Sequence, residues 1–205
     1  MPRTWPPFVI GSLMLAYWAS VLVMVYRTKK TVGKAANFLP PEPLGRVLRI
    51  LWYPVVGIWI LHPITFSFAK KAAHFARPLV EVPSSANLVA LVIAFVAFAA
   101  TIVCWIRMGK SWRMGIDPNE TTELIVQGPY AYVRHPIYSL SIVLMLCTMV
   151  ILPSPLMLIT GMLHIAFLVW EARREERYLA VAQGEPYVRY CQRVGRFFPR
   201  PTQQH

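Results

Sequence analysis

The residues that could carry out chemistry lie in two short stretches of an otherwise apolar chain. The first is a loop from Arg107 to His135, which contains Gly128-Pro129-Tyr130 and continues into Arg134-His135-Pro136-Ile137-Tyr138. The second begins at Glu171 and continues toward the C-terminus. Glycines, aromatic rings and a few charges in proximity are typical of a binding pocket for a small molecule or cofactor.

Two carboxylates in the second stretch are placed to act together. Glu171 and Glu175 are four residues apart, so a helix would present both on one face. Two neighbouring carboxylates repel unless a protonated group, an arginine or a bound cation such as a sulfonium lies between them. A simpler interpretation of the same charges is a solvated helix end with salt bridges at the lipid headgroups.

The elements that must position these residues are predicted to be membrane helices. Of the 205 residues, 56 % are hydrophobic and only 15 % are charged, which is too apolar for a soluble protein. A helix of about 20 apolar residues crosses a bilayer core. The sequence therefore predicts an all-α integral membrane bundle of five helices: Phe8 to Tyr26, Leu48 to Ala69, Asn87 to Ile106, Ile137 to Leu152, and Leu156 to Trp170.

Prolines and histidines inside these runs have structural interpretations. Pro153-Ser154-Pro155 is predicted to divide one long apolar run into a helical hairpin. Pro54 and Pro63 in the second run predict kinks rather than a break, because neighbouring helices can satisfy the freed carbonyls. We expect His62 and His164 to form hydrogen bonds inside the bundle.

The net charge of +12 fits a membrane surface better than a nucleic acid, because the basic residues cluster at the ends of apolar runs. We expect contacts with anionic lipid headgroups and no nucleic-acid partner. With the N-terminus outside, all but four of the 21 Lys and Arg face the cytoplasm, which places the polar loop and the C-terminus there. The exceptions are Arg3, Lys70, Lys71 and Arg77. The last three predict an interfacial helix over Lys70 to Glu81.

The remaining sequence features indicate a simple organisation. The chain is predicted to be a single membrane domain, with three N-terminal helices in residues 1–106 and the polar loop, hairpin and tail in residues 107–205. The three cysteines and five histidines lack the spacing of a disulfide framework or a metal site. No obligate protein partner is evident from the sequence.

The ordered set of motifs from about Gly109 to Pro199 resembles the isoprenylcysteine carboxyl methyltransferase and phospholipid methyltransferase families. The set consists of Gly128-Pro129-Tyr130, Arg134-His135-Pro136-x-Tyr138, an apolar hairpin, Glu175-Glu176, Gly184, Tyr187, Tyr190 and Arg196-Phe197-Phe198-Pro199. The resemblance implies a helical enzyme that uses S-adenosyl-L-methionine. Its cofactor would lie at the cytosolic face, covered by the C-terminal segment, and a membrane lipid or lipidated small molecule would enter from the bilayer.

The resemblance also implies roles for particular positions. Cofactor contacts would fall on Thr122, Glu123, Leu124, Ile125, Tyr130, His135, Pro136, Ile137, Tyr138 and Glu175. Catalytic roles, in positioning the acceptor or accepting a proton, would fall on Arg134, Glu171, Arg174 and Glu176. The rings of Tyr130 and Tyr138 could hold the adenine or attract the sulfonium by a cation–π interaction of about 0.5 to 2 kcal/mol.

Two positions depart from the family pattern and leave the acceptor open. Prenylcysteine enzymes carry an arginine about one turn before the glutamate pair, assigned to the substrate carboxylate, where this chain has Glu171; Arg173 and Arg174 are candidate replacements. Leu140 stands where glycine is common. A carboxylate acceptor needs a cation to hold it, whereas an amine acceptor needs a base, for which Glu175 or Glu176 is available.

Two other functions are compatible with the same residues. Sterol reductases look similar over the C-terminal region and use NADPH, whose ribose phosphate Arg107, Lys110 and Arg113 could bind. The chain could also be a non-catalytic membrane ligand binder, which would tolerate alanine at His135, Tyr138 and Glu175 without losing any ligand.

Overall fold

The computed structural model describes residues 4–32, 40, 42–69, 73–109, 112 and 124–200, and this part of the chain is almost entirely helical. Its helices are α1 (Trp5–Val32), α2 (Pro43–Phe68), α3 (Ser84–Met108), α4 (Pro136–Ile151), α5 (Pro155–Gln183) and α6 (Glu185–Arg193). Short 3-10 helices lie at His74–Ala76 and Gly128–Ala131. The prediction of an all-α membrane bundle is therefore confirmed, and the five predicted runs are helical as α1 to α5, although α4 is shorter than a typical membrane span. Helix α5 extends past its apolar run to carry the glutamates.

Prolines and one serine explain where the later helices begin. Pro43, Pro136 and Pro155 each stand at the start of a helix, where the missing N–H costs nothing. Ser154 caps α5 by accepting a hydrogen bond from the backbone N–H of Met157 at 3.1 Å. The helical hairpin predicted at Pro153-Ser154-Pro155 is thus present, with α4 and α5 separated by residues 152–154.

The interior of the bundle combines close helix contacts with isolated polar bonds. Gly11 lets α1 approach α2, since a Cβ there would lie 2.6 Å from a side-chain carbon of Ile64. His62 pairs with Ser154 at 2.8 Å. His164 accepts the indole N–H of Trp52 at 3.2 Å and lies 3.1 Å from the Ser141 hydroxyl. The prediction that both histidines form hydrogen bonds inside the bundle is confirmed, and these bonds fix the rotation of α2 against α4 and α5.

Four of the helices are long and apolar enough to cross a membrane. They are α1, α2, α3 and α5, whereas α4 is apolar but has only 16 residues. Large apolar side chains project outward from them, including Leu15, Val92 and Val96, each more than half exposed. Such an outward apolar surface fits lipid and not water. Pro54 and Pro63 lie within α2, which remains one helix.

The segment after α2 differs from its expected form. Its described part contains only the single 3-10 turn His74–Ala76 where a longer interfacial helix was predicted, and Lys70 and Lys71 lie outside the described residues. The backbone N–H of Leu79 donates to the carbonyl of Pro153 at 2.9 Å, so the segment follows the α4–α5 turn. The prolines at 78 and 83 oppose a continuous helix here.

Candidate active site

A cavity between α1, α2, α3, α4 and α5 is lined by half of the predicted site residues. It holds about 820 Å³ of space, counting its open mouth. One part of its lining is polar and comprises Tyr130, Arg134, His135, Tyr138, Glu171 and Glu175. The other part is largely aromatic and comprises Tyr17, Trp18, Trp52, Trp105, Trp112 and Phe167. Its mixture of aromatic and polar groups is that of a small-molecule site.

The polar part of the lining is built from one end of α4 and the middle of α5. His135 precedes α4 and stacks on Tyr138, with parallel rings whose centroids are 5.3 Å apart. The hydroxyl of Tyr138 donates to Glu175 Oε2 at 3.2 Å, and Nδ1 of His135 lies 3.7 Å from the same oxygen. Glu175 is 28 % exposed, so its carboxylate remains accessible to a ligand in the cavity.

The other predicted cofactor residues differ in their relation to the cavity. Ile137 lines the cavity, and Pro136 is buried as the first residue of α4. Leu124 packs against the cluster that contains Tyr187 and Tyr190, and it is not among the described residues that line the cavity. Ile125 is half-buried, and Thr122 and Glu123 lie outside the described residues.

Glu176 has different surroundings from its neighbour Glu175. Its Oε1 accepts hydrogen bonds from Arg134 at 2.9 and 3.0 Å and from Arg196 at 2.8 Å, and its Oε2 accepts another from Arg196 at 2.5 Å. His135 Nε2 also lies 3.2 Å from Oε1. The guanidinium groups of Arg134 and Arg196 thus both bind this carboxylate. Glu176 is not among the described residues that line the cavity. The geometry favours a structural role for Glu176.

Arg134, just before α4, and Arg196, after α6, both bind Glu176 and so connect these two parts of the chain. We call residues 194–200 the C-terminal strap. Backbone N–H groups of Arg134 and His135 donate to carbonyls of the strap at 2.8 and 3.1 Å, and the Ser139 hydroxyl donates to the carbonyl of Phe197 at 2.9 Å. The strap therefore fixes the backbone that presents His135 and Tyr138.

A tyrosine of α6 secures the loop on the same side. The hydroxyl of Tyr190 donates to the carbonyl of Tyr130 at 2.5 Å. Burial raises the pKa of Tyr190 to about 12, so the phenol keeps its proton and remains a donor at neutral pH. Tyr130 is thereby held in the cavity wall.

Glu171 pairs with an arginine that the sequence analysis did not select. Arg49 on α2 places Nη2 2.9 Å from Glu171 Oε1, and the two side chains are 4 % and 2 % exposed. Arg174 binds both oxygens of Glu171, at 2.9 and 3.1 Å, and also contacts Glu42. The repulsion expected between Glu171 and Glu175 is therefore relieved at Glu171 by arginines. The available signal was the position of Arg49 inside an apolar run, since a charge there requires a partner.

Arg49 and Arg174 differ in their relation to the cavity. Arg49 lines it, with its guanidinium carbon 5.5 Å from the Trp52 ring centroid and 5.4 Å from that of Phe167. Arg174 lies over the Trp170 ring and does not appear among the described lining residues, while Arg173 is exposed on the surface of α5. Neither candidate replacement for the family arginine faces the cavity.

Comparison with known proteins identifies the region that holds the polar part of the cavity lining. Residues 88–181 match the model of the isoprenylcysteine carboxyl methyltransferase (ICMT) family, a stretch that covers α3, α4 and most of α5. A search of curated proteins found no match. The match agrees with the motifs at Arg134-His135-Pro136-x-Tyr138 and Glu175-Glu176, and with the apolar helices it indicates an integral membrane methyltransferase. Over this region, which is less than half of the chain, the protein is similar to the isoprenylcysteine carboxyl methyltransferase family.

Proposed function

We propose that this protein transfers a methyl group from S-adenosyl-L-methionine to a lipid or another membrane-dissolved acceptor. The observation that carries the proposal is one cavity with two kinds of lining. His135, Tyr138 and Glu175 belong to a polar part, and aromatic side chains, most of them on the membrane helices, form much of the rest. Such a cavity suits a polar cofactor from the aqueous side and an apolar acceptor from the bilayer.

The polar part fits a sulfonium cofactor by its chemistry. Glu175 supplies an accessible carboxylate for an ammonium group or ribose hydroxyls. Tyr130 and Tyr138 supply ring faces that attract a cation. When bound, the cofactor would supply an electrophilic methyl group whose carbon–sulfur bond breaks with the electrons remaining on sulfur.

The protein's own contribution to such a reaction is alignment and exclusion of water. Methyl transfer requires the acceptor atom in line with the breaking bond, and a fixed geometry supplies much of the rate enhancement. The His135–Tyr138 stack and the hydrogen bond to Glu175 hold the polar part in one arrangement. The aromatic walls keep water from the acceptor atom, which strengthens its attack.

The chemistry of the methyl acceptor determines whether the protein must also supply a cation or a base. A carboxylate forms an ester without releasing a proton, so it needs only a cation to position it. An amine must lose a proton, and Glu175 is the better candidate base because Glu176 already accepts hydrogen bonds from two arginines.

The orientation and lipid contacts follow from charge. We propose that the mouth of the cavity and the C-terminus face the cytoplasm, since most Lys and Arg flank the ends of helices on that side. Arg173 and Arg177 are exposed one turn apart on α5, where they could bind anionic headgroups.

Calorimetric titration of S-adenosylhomocysteine into the protein in lipid nanodiscs, with NADPH titrated in parallel, tests the cofactor. We expect saturable binding of S-adenosylhomocysteine and none of NADPH. Binding of NADPH alone would replace the proposal with a membrane reductase, and binding of neither would refute it.

The acceptor is tested by incubating the protein with methyl-labelled S-adenosylmethionine and a total membrane lipid extract. Label in the organic phase is expected. Alkali releases label from an ester and leaves it on an amine, so one hydrolysis step distinguishes the two acceptor classes. An organic phase without label, from a protein that binds S-adenosylhomocysteine, would contradict a lipid acceptor.

A further inference from the structure

One face of α5 changes along its length from apolar to basic. Its side chains recur every three or four residues, so they lie in one line along the helix. They are Ile159, Leu163, Ala166, Trp170, Arg173 and Arg177, all exposed except the half-buried Trp170. Such a line matches a phospholipid, whose acyl chains would lie along the apolar part and whose headgroup would lie at the arginines.

The two arginines lie at the level of the lipid headgroups. The apolar part of α5 ends at Trp170, and tryptophan is typical of the membrane interface. Arg173 and Arg177 follow about 5 and 10 Å further along the helix axis. The headgroup layer is about 5 to 8 Å thick, and an arginine side chain can extend back toward it. Neither arginine forms an ion pair with a described residue, so both charges can attract a phosphate.

The same two arginines line an open groove between α5, α6 and the C-terminal strap. Its lining also includes Val188 and Cys191 of α6 and Arg196 of the strap. Arg196 binds both oxygens of Glu176, through Nε at 2.8 Å and through Nη2 at 2.5 Å. These bonds leave the N–H groups of Nη1 for another acceptor. The groove thus brings donors of the strap to the basic end of the α5 face.

The groove carries an excess of positive charge. Glu176 is the one acidic side chain among the described residues that line it, and Arg134 also binds this carboxylate. The charge of Arg196 therefore adds to those of Arg173 and Arg177. A phosphate diester carries one negative charge and two free oxygens, which guanidinium groups bind well. A headgroup without a compensating ammonium fits such a groove better than a zwitterionic one.

We propose that the groove binds one anionic phospholipid, whose phosphate connects Arg173 and Arg177 of α5 to Arg196 of the strap. No described residue lines both this groove and the cavity, so the lipid acts as a regulator and not as the methyl acceptor. It would hold the strap carbonyls on the backbone N–H groups of Arg134 and His135. This effect rests on the proposed function, because it stabilises the candidate cofactor site.

Native mass spectrometry of the protein released from nanodiscs tests the lipid site. The nanodiscs contain phosphatidylglycerol and phosphatidylcholine in equal amounts and with the same acyl chains, and we expect mainly phosphatidylglycerol to be retained. The double variant Arg173→Gln with Arg177→Gln should lower the ratio of retained phosphatidylglycerol to phosphatidylcholine by about tenfold. Arg189→Gln with Arg193→Gln makes the same change in net charge at exposed positions of α6 outside the groove, and it is the matched control.

Hydrogen exchange measures the effect of the lipid on the strap. The backbone N–H groups of Arg134 and His135 donate to strap carbonyls, so their exchange reports opening of the strap. Without any cofactor, we expect this exchange to be about threefold slower in phosphatidylglycerol than in phosphatidylcholine nanodiscs. The difference should disappear in the groove variant. The N–H of Leu79, which donates to Pro153 beside the α4–α5 turn, is the internal control and should exchange equally in both lipids.

Four results would contradict the proposal. Equal retention of the two lipids, or an equal loss of preference in both double variants, would overturn the lipid site. Equal exchange of the strap-bonded amides in both lipids would overturn the effect on the strap. Protection by inorganic phosphate in phosphatidylcholine nanodiscs, equal to that by phosphatidylglycerol, would identify a site for a free anion in place of a lipid. None of these measurements uses the cofactor, so they are independent of the S-adenosylhomocysteine titration that tests the proposed function.

Discussion

The guanidinium Nη2 of Arg49 lies 2.9 Å from Oε1 of Glu171, although the two residues are 122 positions apart in the chain. The pair joins α2, outside the family match, to α5, within it. Both side chains line the same cavity. The N-terminal helices therefore do more than hold the protein in the membrane, because one of them supplies a charged group of the candidate site.

We expect Arg49→Gln to destabilise the protein by about 3 kcal/mol, because it removes one partner of a buried ion pair. Adding Glu171→Gln to the same chain should recover part of this loss. Loss of helical circular dichroism during unfolding in mixed detergent and SDS measures both effects. Strictly additive effects of the two substitutions would show that the pair does not contribute as a unit.

Glu175→Gln should weaken S-adenosylhomocysteine binding by about tenfold, or ~1.4 kcal/mol, because the carboxylate is the accessible charge beside Tyr138 and His135. The unfolding transition should be nearly unchanged. Calorimetry in nanodiscs provides the measurement. Glu185→Gln, at an exposed position on α6, is the control, and equal affinities in the two variants would remove Glu175 from the cofactor site.

Glu176→Gln should act on stability more than on the reaction. It leaves Arg134 and Arg196 with a neutral acceptor in place of a carboxylate, and we expect a loss of about 3 kcal/mol in the free energy of unfolding. Thermal unfolding followed by circular dichroism measures this loss. An unchanged melting temperature combined with abolished methyl transfer would instead identify Glu176 as the catalytic base.

Gly195→Ala should release the C-terminal strap, because a Cβ at this position would collide with the carbonyl oxygen of Phe198. Tryptic cleavage after Arg196 should accelerate by about fivefold, which corresponds to ~1 kcal/mol of local stability. Time-resolved mass spectrometry of the digest provides the rate. Gly57→Ala is the matched control, since a Cβ at Gly57 meets nothing within 4 Å. Equal rates in both variants would mean that the strap does not depend on this contact.

The sequence was most informative about local properties. The lengths of the apolar runs predicted the membrane helices, and Pro153-Ser154-Pro155 predicted the turn between α4 and α5. The motif around His135 and Tyr138 predicted a cofactor pocket, and the structure brings these residues together with Glu175. These features depend on neighbouring residues, whose spacing along a helix or strand can be read directly.

The sequence was less informative where two similar residues are adjacent. Glu175 and Glu176 have the same side chain, and their order along the chain does not distinguish them. A rotation of about 100° per residue along α5 directs one toward the cavity and the other toward Arg134 and Arg196. Which carboxylate is accessible therefore depends on how α5 packs against α4 and the strap.

By itself, the sequence determined that this is a helical membrane protein and where its polar chemistry is concentrated, because hydropathy and motif spacing are local. Only the tertiary structure revealed the Arg49–Glu171 pair, the bonds between Arg134 and the strap, and the aromatic lining that includes Trp18. Each of these contacts depends on the relative rotation and depth of helices far apart in sequence. Packing sets those quantities over the whole bundle, and no local pattern records them.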